Sequence, residues 1–158
     1  EIFKKLSNLG ISVKIYQQCL LDQNETLRQY YQRNKIDFET FNFSSNLIKY
    51  FPKVNLAITR SGSSMLAELT NANIPFISVP LPSSADNHQL KNAIYYQRKN
   101  FSFLVEEKDL KNKLLNLLKE INDNNSILNK IKHNQSQHSD KNVYNNINHI
   151  LKEINEKN

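Results

Sequence analysis

The chain has 158 residues, of which 39% are apolar, and this suits one domain or one large half of a two-domain protein. Its net charge of +6 favours anionic partners such as nucleotides, phosphates, nucleic acid or an acidic membrane surface, although dispersed lysines that merely solubilise the chain explain the same charge. A single cysteine, Cys19, excludes an internal disulfide and fits a reducing compartment, and no apolar run approaches the roughly 20 residues that span a bilayer. The sequence opens at Glu1 within a helix-like pattern, so we expect a fragment that lacks upstream material.

Short strands and helices alternate in the predicted elements between residues 12 and 106. The segment SVKIYQ alternates polar and apolar residues and predicts a strand at 12–17, and Asn24 is the predicted N-cap of the helix that follows. The other predicted elements are a helix at 24–34, a strand near 38–43, a helix near 45–51, a strand at 54–58, a helix ending near Asn73, a strand within 74–82, a helix at 86–100 and a strand at 101–106. This alternation predicts an α/β fold, a Rossmann-like parallel sheet flanked by helices.

Only helical patterns remain towards the C-terminus, so residues 107–158 are predicted to form a helical tail. Leucines between residues 110 and 118 form a first apolar stripe, and Ile147, Ile150, Leu151 and Ile154 form a second. The polar segments NDNNS and HNQSQHSD are predicted to interrupt these helices.

The segment ITRSGSSMLAEL, residues 58–69, places a small hydroxyl-rich turn between a predicted strand and a predicted helix. Ligands of open α/β sheets bind at such carboxyl ends of strands. Gly62 permits a tight turn or a close backbone approach, and free N–H groups at the helix start attract phosphate. Arg60 either adds positive charge there or pairs with a carboxylate elsewhere. The candidate N-cap residues are Ser61, Ser63 and Ser64. An ordinary capped helix start explains the same turn.

One carboxylate, Glu68, follows this turn on the predicted helix. It lies one helical turn after Ser64 and can face the same mouth of the sheet. A carboxylate there can accept hydrogen bonds from two neighbouring hydroxyls, as on a ribose. The alternative is a solvated acid on the helix surface.

A second polar segment, LPSSADNHQLKNA at residues 81–93, follows the next predicted strand. Asp86 is a candidate cap of the helix that contains the other polar residues. Gln89 offers a donor and an acceptor for sugar hydroxyls, and Asn92 lies three residues further on. His88 either binds a sugar or phosphate oxygen or packs at the helix start. Loops at neighbouring strand ends converge, which strengthens both binding hypotheses.

Together these segments form ITRSGSSMLAELTNANIPFISVPLPSSADNHQLKNA, which closely resembles the signature of the MurG family. That family transfers N-acetylglucosamine (GlcNAc) from UDP-GlcNAc to lipid I and so forms lipid II for peptidoglycan. The resemblance covers about 36 residues closely and the flanks more loosely. It implies that residues 1–158 are the C-terminal, UDP-GlcNAc-binding domain of a two-domain GT-B glycosyltransferase.

The resemblance also implies a role for each site residue. Glu68 would hold the ribose hydroxyls, and the diphosphate would be lined by Ser61, Gly62 and Ser63. The GlcNAc ring would lie near His88 and Gln89, and the uracil would be flanked by Phe43 and Ser44. Asn92 would support the loop. The resemblance also implies that Arg60 and Asp86 are supporting residues. Asn73 stands where the family usually ends the helix with glycine, and asparagine tolerates the left-handed conformation next best.

Two parts of the family pattern are expected upstream of Glu1: the first strand with its glycine-rich phosphate loop, and the acceptor-binding domain. The fragment alone would therefore bind the donor without completing catalysis, and no catalytic residue is assigned to it. The implied reaction is inverting displacement of UDP by a lipid-linked acceptor that reaches the donor through the absent N-terminal domain. No Asp-x-Asp pair is present, so helix N-termini are expected to stabilise the leaving diphosphate, with no metal and no cofactor.

The implied location is cytoplasmic and peripheral, on the inner face of the bacterial plasma membrane. Three alternatives remain open from the sequence: the donor-binding subunit of a split GlcNAc transferase, a non-catalytic nucleotide-sugar module, and a nucleic-acid binder. The last is suggested by charge alone, because no basic run is interleaved with aromatic residues, and no nucleic-acid partner is predicted.

Overall fold

The structure is a computed structural model that describes residues 1–42, 47–138 and Lys152. In chain order, its helices and strands are α1 (Ile2–Asn8), β1 (Lys14–Gln18), α2 (Leu21–Arg33), β2 (Asp37–Phe41), a 3-10 helix (Leu47–Lys53), β3 (Ala57–Thr59), α3 (Ser63–Asn71), β4 (Phe76–Ser78), a 3-10 turn (Ala85–Asn87), α4 (His88–Arg98), β5 (Ser102–Leu104), a 3-10 turn (Glu107–Asp109), a π-helical turn (Leu110–Leu114), α5 (Leu115–Asp123) and α6 (Ser126–Ser136). The predicted α/β alternation is confirmed.

All strand pairs in the described residues are parallel, as the alternation predicts, but they form two sheets. Strands β1 and β2 pair from Lys14 with Asp37 to Gln18 with Phe41. Strands β3, β4 and β5 form the second sheet, with β4 in the centre. Neither sheet includes a pairing between β1 and β3, so each of these strands has one edge without a strand partner in the described part of the chain.

The core forms on both faces of the three-stranded sheet because side chains alternate along β4. Phe76 packs on one face with Leu66, Leu69 and Ile74, against helix α3. Ile77 packs on the other face in a cluster with Val79, Val105 and Leu114, which Ile2 of α1 also joins. The first predicted leucine stripe is confirmed, because its members at 110, 114, 117 and 118 lie in this second cluster.

The two-stranded sheet depends on aromatic packing. Helix α2 covers one face, where the rings of Tyr31 and Phe38 are 5.1 Å apart. The 3-10 helix covers the other face, where Tyr50 stacks on Phe41 with ring centroids 4.2 Å apart and donates a hydrogen bond to Glu39. Burial, together with that hydrogen bond, raises the pKa of the Tyr50 hydroxyl. Few aliphatic residues are buried in this sheet.

Four helix ends share one turn geometry, the Schellman motif, which leads each helix into the next strand. After α3, for example, the Ile74 N–H donates to the Leu69 carbonyl at 2.9 Å and the Asn73 N–H donates to the Thr70 carbonyl at 3.0 Å. The left-handed residues of the four turns are Gly10, Lys35, Asn73 and Asn100. The expected left-handed conformation of Asn73, with φ of 54°, is confirmed.

Helix α6 is anchored to the three-stranded sheet by Gln135, whose side chain is almost fully buried. Its amide Nε2 donates to the Ile74 carbonyl at 3.0 Å and to the Phe101 carbonyl at 2.8 Å. These carbonyls belong to the turns that precede β4 and β5. The prediction that HNQSQHSD interrupts the helix is therefore wrong for its first residues, because the buried glutamine pairs with backbone and extends α6 to Ser136.

Several predicted boundaries shift in the structure. Helix α2 begins at Leu21, so Asn24 does not cap it; the Asn24 side chain instead accepts a hydrogen bond from Thr40 at 2.6 Å. The predicted helix near 45–51 is a 3-10 helix over its described part. Residues 43–46 and the second isoleucine stripe lie outside the described residues. Among the described helices, none has the length and apolar character to cross a bilayer.

Candidate functional site

Two loops meet at the carboxyl end of the three-stranded sheet. The first loop, residues 60–62, joins β3 to α3, and the second, residues 79–87, joins β4 to α4. Neighbouring parallel strands bring their carboxyl ends to one edge, which is where open α/β sheets bind ligands. Most of the polar residues singled out from the sequence lie on these loops or on the helices that follow them.

The first loop is held from α4 through both backbone groups of Ser61, a residue with no exposed surface. The Ser61 N–H donates to Gln89 Oε1 at 3.2 Å, and Asn92 Nδ2 donates to the Ser61 carbonyl at 3.0 Å. Gln89 Oε1 also accepts the Leu81 N–H of the second loop at 3.0 Å. The structure thus brings Ser61, Gln89 and Asn92 together, as the sequence analysis expects, and connects both loops through one amide oxygen.

The N-terminus of α3 has no side-chain cap, although three serines flank it. Gly62 occupies the N-cap position and no side-chain hydrogen bond caps the helix, so the predicted capping role of Ser61, Ser63 and Ser64 is wrong. Ser63 and Ser64 are instead exposed first-turn residues. Uncapped N–H groups and two exposed hydroxyls at a helix start suit an anion.

Gly62 does not make a strained turn. Its φ of −68° and ψ of 133° are accessible to every residue, so the tight-turn explanation of this glycine is wrong. A Cβ atom at Gly62 would meet no other atom within 4 Å. The absent side chain therefore leaves open space beside the helix N-terminus, and the close-approach explanation of the glycine remains a prediction.

Arg60 pairs with a carboxylate, the second of the two alternatives that the sequence leaves open. Its NH1 donates to Glu107 Oε2 at 2.7 Å and lies 3.5 Å from the Val79 carbonyl oxygen. The guanidinium therefore connects the ends of β3, β4 and β5. Both side chains of this ion pair are partly exposed, which makes the pair weak in stabilisation terms.

The start of α4 has unusual backbone geometry. Asp86 and Asn87 are consecutive residues with positive φ, 49° and 53°, and no side-chain hydrogen bond caps the helix. The prediction that Asp86 caps α4 is therefore wrong. His88 is exposed, and its Nδ1 lies 2.8 Å from the Ala85 carbonyl. When Nδ1 donates this hydrogen bond, the neutral ring presents Nε2 as an acceptor to solvent or a ligand.

Glu68 is an exposed residue of α3, with its side chain accessible to a ligand. Ser64 and Glu68 are four residues apart on this helix and therefore share a face, as predicted. No hydrogen bond or ion pair in the described residues engages the Glu68 carboxylate. Phe43 and Ser44, the predicted neighbours of the uracil, lie outside the described residues.

Two contributors to this edge of the sheet, Glu107 and the backbone of Leu81, were not predicted from the sequence. A signal for Glu107 exists, since two acidic residues directly follow the apolar strand FSFLV and therefore lie at the same edge of the sheet. The role of the Leu81 N–H has no such signal, because every residue except proline carries this group. In residues 1–42 and 47–138, no three His, Cys, Asp or Glu side chains are grouped to hold a metal.

Comparison with known families defines the class of this domain. Residues 2–147 match the glycosyltransferase family 28 C-terminal domain, so the chain belongs to that family. The MurG resemblance found in the sequence is confirmed at this level.

Particular relatives narrow the comparison to one kind of transferase. The UDP-N-acetylglucosamine--N-acetylmuramyl-(pentapeptide) pyrophosphoryl-undecaprenol N-acetylglucosamine transferase of Pelagibacter ubique (strain HTCC1062) is 38% identical over 146 residues, covering 91% of this chain and 41% of the relative. The protein of the same name from Rickettsia massiliae (strain Mtu5) is 34% identical over 101 residues, which are 64% of this chain and 27% of the relative.

A solved structure shows the same fold. The crystal structure of Acinetobacter baumannii MurG aligns with a TM-score of 0.74 and 23% identity over 87% of this chain and 40% of that chain. The chain therefore spans less than half the length of the relatives that it matches.

Proposed function

We propose that this chain binds UDP-GlcNAc as the C-terminal, donor-binding part of a glycosyltransferase that transfers GlcNAc to lipid I to form lipid II. The observation that carries the proposal is the 38% identity to a transferase of that name across 91% of the chain. The location of the polar residues supports it, because they cluster at the carboxyl end of the three-stranded sheet, where nucleotide ligands bind in such folds.

Each part of the donor has a candidate partner in this proposal. The diphosphate lies beside the uncapped N-terminus of α3, where Gly62 leaves space and Ser63 is exposed. The free carboxylate of Glu68 accepts hydrogen bonds from the ribose hydroxyls. His88 offers Nε2 to the GlcNAc ring, with Gln89 beside it, and Phe43 and Ser44 flank the uracil. Asn92 supports the first loop through the Ser61 carbonyl.

The open edges of β1 and β3 support the proposed domain assignment. The 3-10 helix contacts both sheets, since Tyr50 stacks on Phe41 while Phe51 packs against the Phe76 cluster. Helix α1 packs on the opposite face, through Ile2. Because parallel crossovers are right-handed, a strand that precedes α1 would lie between β1 and β3. Such a strand would join the two sheets, and its loop would open at the donor edge.

The proposed reaction also needs parts that the described residues do not supply. The lipid-linked acceptor is bound by a separate N-terminal domain, and that domain brings the complex to the inner face of the plasma membrane. The leaving diphosphate is stabilised by the N-terminus of α3, with Arg60 nearby. The alternative of a split enzyme differs only in whether the two domains share one polypeptide.

Isothermal titration calorimetry of the chain with UDP and with UDP-GlcNAc tests the proposal, using Glu68→Ala and a matched control. The control is Glu120→Ala, which removes an exposed carboxylate from α5 on the other side of the sheet. Hydrogen bonds to a charged group contribute about 1.5–3 kcal/mol, so we expect Glu68→Ala to weaken UDP binding about 10- to 100-fold. Binding by Glu120→Ala should equal that of the wild type.

Two results would contradict the proposal. Unchanged UDP binding by Glu68→Ala would remove the ribose assignment, while leaving nucleotide binding itself intact. Absence of UDP and UDP-GlcNAc binding by the wild type, with binding to an RNA oligonucleotide, would replace the transferase proposal with the nucleic-acid alternative. Addition of lipid I to residues 1–158 alone should give no turnover, because these residues match a C-terminal domain only.

A further inference from the structure

Gln89 makes contacts that a sugar ligand alone does not require. Its amide oxygen accepts two backbone N–H groups, from Ser61 in the first loop and from Leu81 in the second, at 3.2 and 3.0 Å. Both lone pairs of Oε1 are therefore used within the protein. Only the Nε2 group is left to donate to a ligand, so this side chain is not free to turn its oxygen towards a sugar hydroxyl.

Ser61 depends on α4 for its backbone hydrogen bonds. The residue is fully buried, its N–H binds Gln89 and its carbonyl binds Asn92. Gln89 and Asn92 are three residues apart on one face of the helix, so both can form hydrogen bonds to the same peptide segment. A buried N–H that loses its partner is costly, so the shape of the first loop depends on these two side chains.

We propose that Gln89, assisted by Asn92, is a positioning residue that holds the two loops together and so sets the shape of the diphosphate side of the donor site. This inference rests on the proposed function. It goes beyond the GlcNAc-ring role of Gln89, because it makes binding of the nucleotide alone depend on a residue expected to touch the sugar.

Amide hydrogen exchange of the unliganded chain, followed by NMR, tests the loop contact without any donor. In Gln89→Leu the Ser61 and Leu81 amides lose their acceptor, and we expect their exchange to accelerate about tenfold or more. Gln89→Glu keeps an oxygen acceptor and should leave both amides protected. Gln97→Leu is the matched control, because Gln97 is an exposed glutamine of the same helix and its change should leave both amides unaffected.

Titration with UDP, which has no sugar, separates the positioning role from a sugar contact. If Gln89 acts through the loop, Gln89→Leu weakens UDP and UDP-GlcNAc by the same factor, and Gln97→Leu weakens neither. Asn92→Leu, which leaves the Ser61 carbonyl without its donor, should weaken both ligands in the same way. Equal loss for the two ligands is the result that a sugar contact cannot produce.

Several results would overturn the inference. Wild-type exchange rates for Ser61 and Leu81 in Gln89→Leu would show that the loop contact does not persist in solution. Unchanged UDP binding with weakened UDP-GlcNAc binding would restrict Gln89 to the sugar. Failure of the wild type to bind UDP would instead contradict the proposed function, and with it the claim that Gln89 shapes a donor site. The exchange rates would still show whether Gln89 holds the two loops together. Should Gln89→Leu not fold, Gln89→Ala removes the same acceptor without adding an apolar side chain, and its comparison with Gln97→Leu decides by the same exchange rates.

Discussion

One glutamine binds backbone groups at each end of the three-stranded sheet, but one of these side chains donates its hydrogen bonds and the other accepts them. At the amino end, Gln135 donates from Nε2 to two carbonyls, those of Ile74 and Phe101. At the carboxyl end, Gln89 accepts with Oε1 from two N–H groups, those of Ser61 and Leu81. Gln135 is almost fully buried, whereas Gln89 is only partly buried.

This difference suggests that the amino end of the sheet contributes mainly to stability and the carboxyl end mainly to binding. At the amino end, the Schellman turns and Gln135 pair the backbone groups that precede β4 and β5. The carboxyl end has uncapped helix N-termini, consecutive left-handed residues and an exposed carboxylate. Loops with incomplete backbone hydrogen bonding are where ligands gain most. Substitutions at the two ends should therefore affect different measurements.

Phe76→Ala should have the largest effect, because it removes the core that both ends share. Phe76 has no exposed surface and packs between α3 and the ring of Tyr96. We expect a loss of about 3–5 kcal/mol in the free energy of unfolding, measured by urea denaturation. Leu21→Ala, at an exposed apolar residue at the start of α2, is the control and should change that free energy by about 0.5 kcal/mol or less. A loss from Phe76→Ala no greater than the control would mean that the ends do not share this core.

Gln135→Leu should have the next largest effect and should act on stability alone. It leaves two buried carbonyls unpaired, which we expect to lower the free energy of unfolding by about 1–3 kcal/mol. The affinity for UDP, measured well below the unfolding temperature, should not change, because the carboxyl end is untouched. Gln137→Leu, at an exposed glutamine near the end of α6, provides the control. A parallel loss of UDP affinity in Gln135→Leu would break the separation between the two ends.

Asn73→Ala should have the smallest effect, and Asn73→Gly serves as its comparison. Residue 73 has a φ of 54°, and alanine tolerates this left-handed conformation less well than asparagine does. We therefore expect the free energy of unfolding to fall by about 1 kcal/mol. Glycine adopts this conformation without a steric cost and should leave the free energy of unfolding within a few tenths of a kcal/mol. Thermal denaturation of the three proteins measures the order, and equal stability of the alanine and glycine variants would contradict the turn argument.

Much of the fold could be predicted because it is local. Alternating patterns predicted each strand and α-helix between residues 12 and 106 to within a few residues, and asparagine chemistry predicted the turn at Asn73. The helix predicted near 45–51 is instead a 3-10 helix in its described part. The division into two sheets could not be predicted, since strand pairing depends on which edges meet and not on any one segment. The role of Gln135 was missed for the same reason, because its partners are 61 and 34 residues away.

In the candidate site too, features within one segment could be predicted, whereas contacts between distant segments could not. Motif spacing placed Ser61, Gln89 and Asn92 at one edge of the sheet, and the structure brings them into contact. Capping was predicted wrongly at both helices, because a serine or aspartate caps a helix only from the N-cap position itself, and Gly62 and Asn87 occupy those positions. The pairing of Arg60 with Glu107 needed the third strand end, which lies 47 residues further along the chain.

The wide sequence separation of the Gln135 contacts bears on the order in which the domain assembles. The Ile74 and Phe101 carbonyls lack this partner until a segment 61 and 34 residues downstream folds back onto them. Contacts that close long loops carry a larger entropic cost and generally form after local ones. We expect the sheet to form first and α6 to dock last, at the amino end of the sheet and away from the candidate site.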